Sequence, residues 1–231
     1  MRVVSVCLVS FLLFFYTLAP ARAAFEIEFP QVSDGQINEA LLKTVPLRLI
    51  PSNPFYFLIS VKEAILWSFQ PSSAKRTELD MVLAGKRLKE SYLLVNRGDI
   101  KNASTNMTRY AQKIGKMTGG LAKARLQKQD VSTLVSEIAE DMKSHEVLFF
   151  AIKKRAEGLG DDYGFSKNYN SAAAAFVDAV AALDNFRPGI KDRFKSASES
   201  AEVRKTLFDS APKSPGFIEA SPSVKPRKII Y

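Results

Sequence analysis

The chain is nearly without cysteine and histidine: Cys7 and His145 are the only ones among 231 residues. A single cysteine excludes an internal disulfide and any thiolate cluster for zinc. A single histidine leaves no pair of imidazoles to hold a metal and no second imidazole base. Long apolar runs are also scarce. Residues 3–19 form one, and no other stretch is long enough to cross a bilayer. With 46% hydrophobic and 25% charged residues, the remainder suits one packed core.

The apolar run has the layout of a secretory signal. Met1-Arg2 gives a basic start, and Pro20-Ala21-Arg22-Ala23 supplies a small-x-small cleavage site. Export with cleavage after Ala23 is expected; an uncleaved anchor is the alternative. Cys7 lies inside the signal, so the mature chain is expected to carry no thiol. Arg2 and Arg22 lie there too, so cleavage lowers the formal charge from +9 to about +7. A moderately basic exported protein favours anionic envelope polymers or lipid head groups. Nucleic acid fits the charge but not the compartment.

Helical periods dominate the rest, and the predicted fold class is all-α. Residues 24–49 show no clean period and are expected as an extended lead-in. Ser52-Asn53-Pro54 starts a short apolar helix over 54–69, with Pro54 in the first turn. Pro71 ends it and Ser72-Ser73 restarts the chain. Ala74, Thr77, Met81, Ala84, Leu88, Ser91 and Val95 then fall in alternating steps of three and four, the spacing of a thin coiled-coil seam. After the break at Gly98-Asp99 the same rhythm returns at Ala103, Met107, Tyr110, Ile114, Met117, Leu121 and Ala124. It returns again at Val131, Val135, Ile138, Met142, His145, Phe149, Ile152 and Ala156. Three long helices with short joints predict an antiparallel three-helix bundle over 50–157, with the short helix as a cap over one end of its core. The phase runs unbroken through residues 128–131, so a continuous rod is the alternative to a turn there; a rod would need a partner chain, and a monomer is favoured. Residues 158–209 are expected as a smaller helical pair, with 158–170 as loop, a helix over 171–186 and a weaker one over 190–208. Residues 210–231, with four prolines, four basic residues and one acid, read as a disordered basic tail.

Several stretches together resemble a known family. "PSNPFYFLISVKEAILWSF", "AKRTELDMVLAGKRLKES", "NRGDI" and "DVSTLVSEIAEDMKSHEVL" are similar in order and character to the bacterial family called domain of unknown function 5667. The resemblance covers about residues 47–157. It rests on the start Pro51-Ser52-Asn53-Pro54-Phe55-Tyr56, on the charged helix at Ala84-Gly85-Lys86-Arg87-Leu88, and on the later helix carrying His145. Gly85 and Lys86 depart from the alanine- and glutamate-rich pattern. The resemblance implies an exported helical plan and no particular activity.

Chemistry-bearing residues are few. His145 falls on an apolar seam, with Asp141 and Glu146 near it; a buried or half-buried neutral imidazole hydrogen-bonded across the bundle is the expected state, and no metal or catalytic residue is assigned. Asp161-Asp162 lie on a glycine loop without an EF-hand pattern. No cofactor is implied. The sharper feature is cationic. Residues 100–129 contain no acid, and Arg109, Lys113, Lys116 and Lys123 share one helix face. Either this strip meets Glu137, Glu140, Asp141 and Glu146 of the next helix and sets the register, or it is an exposed polyanion-binding surface. Lys225, Arg227 and Lys228 of the tail are further candidate contacts. Asn102-Ala-Ser and Asn106-Met-Thr match glycosylation sequons. Gly115 and Gly119, four apart, suit either close helix approach or simple tolerance. The expected role is a non-enzymatic envelope module acting on a protein partner as a scaffold. Binding of anionic polymer or lipid is the alternative, and sensing with a partner receptor a further one. Membrane contact is expected only through an uncleaved signal or the short apolar helix.

Overall fold

The computed structural model of the chain describes residues 27–200, apart from 48, 161 and 199. The expected signal segment and the expected basic tail, with Lys225, Arg227 and Lys228, lie outside the described residues. All regular structure among those described is helical: α1 Asp34–Lys43, α2 Tyr56–Ser68, α3 Ser73–Asn96, α4 Ile100–Leu126, α5 Ser132–Glu157 and α6 Tyr163–Phe186, then a 3₁₀ turn at Lys191–Arg193.

Local chemistry explains most boundaries. Ser72 caps α3 by accepting from the Lys75 N–H, Asp99 caps α4 through Asn102, and Asp162 caps α6 through Phe165. Gly98 takes the left-handed conformation between α3 and α4. Between α4 and α5 the chain turns rather than continuing as a rod. Lys128 adopts a positive φ of 58°, and the Gln129 N–H returns to the Ala124 carbonyl. The side chains of Gln127 and Gln129 then bond the start of α3 at Ser73 and Ala74.

The three predicted seams form the core. The α4 positions from Ala103 to Ala124 are all sealed from solvent, as are Met81, Ala84, Leu88 and Val95 of α3 and Val135 to Ile152 of the α5 seam. Two features exceed the three-helix expectation. The residues expected as an extended lead-in contain α1, because Ser33 and Gln36 form a capping box and Ile37 and Ala40 give it a buried face. Lys89 of α3 donates to the Leu41 carbonyl at 2.7 Å, placing a cation at the C-terminal end of α1. And the first helix of the expected C-terminal pair joins the bundle. α6 starts eight residues earlier than its alanine-rich pattern indicates, since the Asp162 cap recruits residues 163–170, and it packs along α4 as a fourth bundle helix. Beyond it only a 3₁₀ turn and a helical stretch from residue 195 are described, with Phe194 fully buried against Phe176.

The four long helices alternate in direction. Contacts run from α3 to α4, α4 to α6, α6 to α5 and α5 back to α3, while α4 and α5 meet across the middle through Tyr110, His145 and Phe149. Phe29, from the segment before α1, stacks on Phe149 at 4.8 Å and closes an aromatic cluster with Tyr169 and Phe176.

Close helix approach involves different glycines from the pair singled out by spacing. Gly115 and Gly119 face open space. At Gly120 a Cβ would lie 2.2 Å from Thr77 Oγ1, and at Gly85 2.9 Å from His145 Nε2. Alanine is therefore expected to stabilise at Gly115 and Gly119, by about 0.5–1 kcal/mol each through helix propensity. At Gly85 and Gly120 it is expected to destabilise by about 1–3 kcal/mol through overpacking. Urea midpoints of the four single variants decide both halves.

Candidate functional site

The site builds outward from the short helix. On α2 the residues turned toward the bundle are its polar ones. Tyr56 is buried and Glu63 and Trp67 are largely covered, whereas the apolar majority faces outward. Phe55, Phe57, Leu58, Val61, Ile65, Leu66 and Phe69 expose between 44% and 82% of their surface. The expected cap, in which these aromatics fill the end of the core, is not what forms. The thin Ala/Ser/Thr seam of α3 is instead filled by α4 and α5.

A buried polar cluster holds α2 in this orientation. The Glu90 carboxylate, at 0% exposure, accepts from the Tyr56 hydroxyl at 2.8 Å, from Arg87 Nη1 at 2.8 Å and from Asn106 Nδ2 at 3.1 Å. Arg87 also bonds Glu63 and the Tyr56 hydroxyl, and Lys86 pairs with Glu63. Lys86, Arg87 and Arg109 all lie within 6.0 Å of the Tyr56 ring centre. Burial, and then the Glu90 charge, push the Tyr56 hydroxyl pKa upward, so the phenol stays a neutral donor. A second anchor lies at the far end of the helix. Trp67 Nε1 donates to Asp80 at 3.0 Å, Lys113 Nζ reaches the other Asp80 oxygen at 2.7 Å, and Arg76 stacks over the indole at 5.0 Å. Tyr56, Glu63 and Trp67 recur at seven and four residues, one face of a helix.

The cationic strip is divided by this arrangement. Arg109 and Lys113 belong to the anchors of α2, while Lys116 and Lys123 remain exposed. The acids of α5 do not face the strip. Glu140 pairs with Lys143 and Arg193, and Glu146 accepts from the Ser196 N–H at 3.0 Å and its hydroxyl at 2.6 Å. The acid that meets the strip comes from α3, and Asp80 carried no periodic signal that marked it out. Asn106 is fully buried against Glu90, so its sequon is closed in the folded chain. Asn102 donates its amide to Asp99 at 2.8 Å.

His145 is buried, and burial holds its pKa down at about 3, so it is neutral; its Nδ1 lies 3.3 Å from the Tyr110 hydroxyl. The crevice beside it, lined by Thr44, Gly85, Asp141 and Ser144 among others, holds about 60 Å³. That is room for a few waters rather than a large substrate. Asp162 is used as a helix cap, and Asp161 lies outside the described residues. Among the described residues there is no group of three or more His, Cys, Asp or Glu side chains placed for a metal ion, and no helix long and apolar enough to cross a membrane.

Residues 48–157 match the model of the family described as Domain of unknown function (DUF5667), which shows the resemblance carried by the Pro51–Tyr56 start and the helices after it. The matched segment runs from before α2 to the end of α5; α1 and α6 lie outside it. No curated protein matches the chain, and no solved structure does.

The two halves of the strip are expected to respond differently to charge reversal. Lys113→Glu leaves the nearly buried Asp80 facing a like charge and is expected to lower stability by about 2–4 kcal/mol. Lys116→Glu, on an exposed face, is expected to change it by less than about 0.5 kcal/mol. Equilibrium denaturation of both variants measures the difference.

Proposed function

We propose that the chain is an exported, non-catalytic interaction module of the cell envelope whose docking face is the outward ridge of α2. One observation carries this reading. An apolar helix is fastened to its bundle by buried charges and hydroxyls, with its oily side left to solvent. Seven large apolar residues on one short helix and its two caps exceed what a soluble surface ordinarily leaves uncovered. The anchors make the presentation rigid, which lowers the ordering cost of binding. The absence of a catalytic role is supported by the neutral, enclosed His145 and the small crevice beside it. Export is supported by the layout of residues 1–23.

A second reading, binding of an anionic envelope polymer or lipid head groups, is favoured by Lys116 and Lys123. Both are exposed on α4, and residues 100–129, which include it, contain no acid. Since Arg109 and Lys113 are engaged in the anchors, the free strip is shorter than its sequence pattern.

Photo-crosslinking in the cells that make the protein distinguishes the two. A benzophenone side chain replacing Phe69 is expected to give adducts, and one replacing the exposed Thr105 of α4 none. Adducts are expected to survive Lys116→Glu with Lys123→Glu. Absence of adducts from Phe69 contradicts the ridge as docking face, and their loss in the lysine variant favours the strip.

A further inference from the structure

The ridge has a definite shape. Leu58, Val61, Ile65 and Phe69 follow one another at steps of three, four and four along its midline, with Phe57 and Leu66 on the flanks. This is the seam spacing by which helices pack on helices. It is also a seam the fold leaves without a partner, since α2 makes no extensive helix-on-helix packing with the bundle and reaches it mainly through long side chains with polar tips. From this we infer that the ridge is occupied by the same ridge of a second copy of the chain, in a two-fold symmetric antiparallel pairing of α2 with α2 centred near Val61 and Ile65. The inference rests on the ridge being a docking face and adds what docks there.

Three observations select a second copy. The first is area. Seven apolar residues, roughly half exposed, offer about 700–800 Å² per copy, which is what each partner gives to a stable interface of standard size. The second is self-complementarity. The midline carries no charge, so an identical ridge satisfies it fully. Lys62, the exposed cation of the helix, lies on the ridge between its midline and Leu66, one turn after Leu58, and its long stem carries the ammonium to water at the rim of the pairing. Two-fold pairing of like patches is the commonest symmetric assembly. The third concerns the alternative of a bilayer. Helices that lie on membranes carry cations on their polar face to meet head groups. The polar face of α2 is turned inward and spent on Glu90, Arg87 and Asp80.

The expectation of a monomer rested on folded-back helices burying their own seams. That argument holds for α3, α4 and α5, and α2 lies outside it.

Disulfide trapping tests the pairing in the full chain, because Cys7 is its only native cysteine. In a Cys7→Ser background, Val61→Cys and Ile65→Cys together, which face each other across the two-fold, are expected to give a cross-linked species of twice the chain mass after mild oxidation in cells. Thr105→Cys, exposed on α4, gives none. Adding Leu58→Asp and Phe69→Asp is expected to reduce this product at least tenfold. Circular dichroism is expected to stay unchanged, since neither residue faces the bundle. Co-flotation with vesicles of phosphatidylglycerol and phosphatidylcholine is run on the same variants. Absence of cross-linked dimer, with flotation abolished by the ridge aspartates, overturns the second copy and leaves the ridge as a lipid-docking face. Absence of both dimer and flotation, with no Phe69 crosslink, removes the docking reading as well.

Discussion

Everything distinctive about this fold depends on a carboxylate with no access to water. Glu90 lies within α3 at a position that a bundle would ordinarily give to a small or apolar side chain, and it is fully buried. A buried charge is tolerated only when its hydrogen bonds and counter-charges are supplied. Asn106 of α4 and Arg87 of α3 supply part of this from within the bundle. The Tyr56 hydroxyl supplies the rest from outside, and Glu63 answers the surplus positive charge of Arg87 and Lys86. The bundle thus needs α2, and specifically the polar face of α2. The orientation that follows turns the oily face outward.

An apolar contact between α2 and the bundle would have served adhesion equally well. It would have buried Leu58, Val61 and Ile65 and left nothing to present. Buried ion pairs contribute little net stability compared with apolar packing, but they have strict geometry. Here that geometry selects one face of a helix whose composition alone would favour the other. The Trp67–Asp80–Lys113 chain does the same at the far end, so the helix is fixed at two points about three turns apart.

The seams of α3, α4 and α5 were legible in the sequence because steps of three and four repeat over six or seven positions, and tertiary packing agrees with them. Boundaries marked by Ser72, Gly98 and Asp99 were legible for the same local reasons. The capping box of Ser33 and Gln36 is a weak signal on its own, since α1 is short and buries only Ile37 and Ala40. The inverted seating of α2 was not legible. Hydrophobic periodicity assumes that apolar faces point inward, and the signal that overrules it is the pair of buried charges Arg87 and Glu90. On the sequence these look like ordinary solvated helix residues. The partition of the strip was hidden likewise, because the acid that claims Lys113 is Asp80, thirty-three residues away. The family match over residues 48–157 contains every member of both anchors, so the polar seating of α2 lies wholly within that segment. The Phe29 and Phe176 side of the core comes from the flanking chain.

The account stands on α2 being held by its polar arms. Hydrogen–deuterium exchange of the full chain, compared with its Tyr56→Ala variant, tests this most directly. Removing the arm leaves Arg87–Glu90 and Asn106–Glu90 in place within the bundle. The account predicts that amides of α2 exchange at least about tenfold faster while those of α4 and α5 keep their protection, as expected of a locally detached unit. Unchanged protection in α2 would show that something other than the Tyr56–Glu90–Arg87 cluster seats the helix, and would contradict the account.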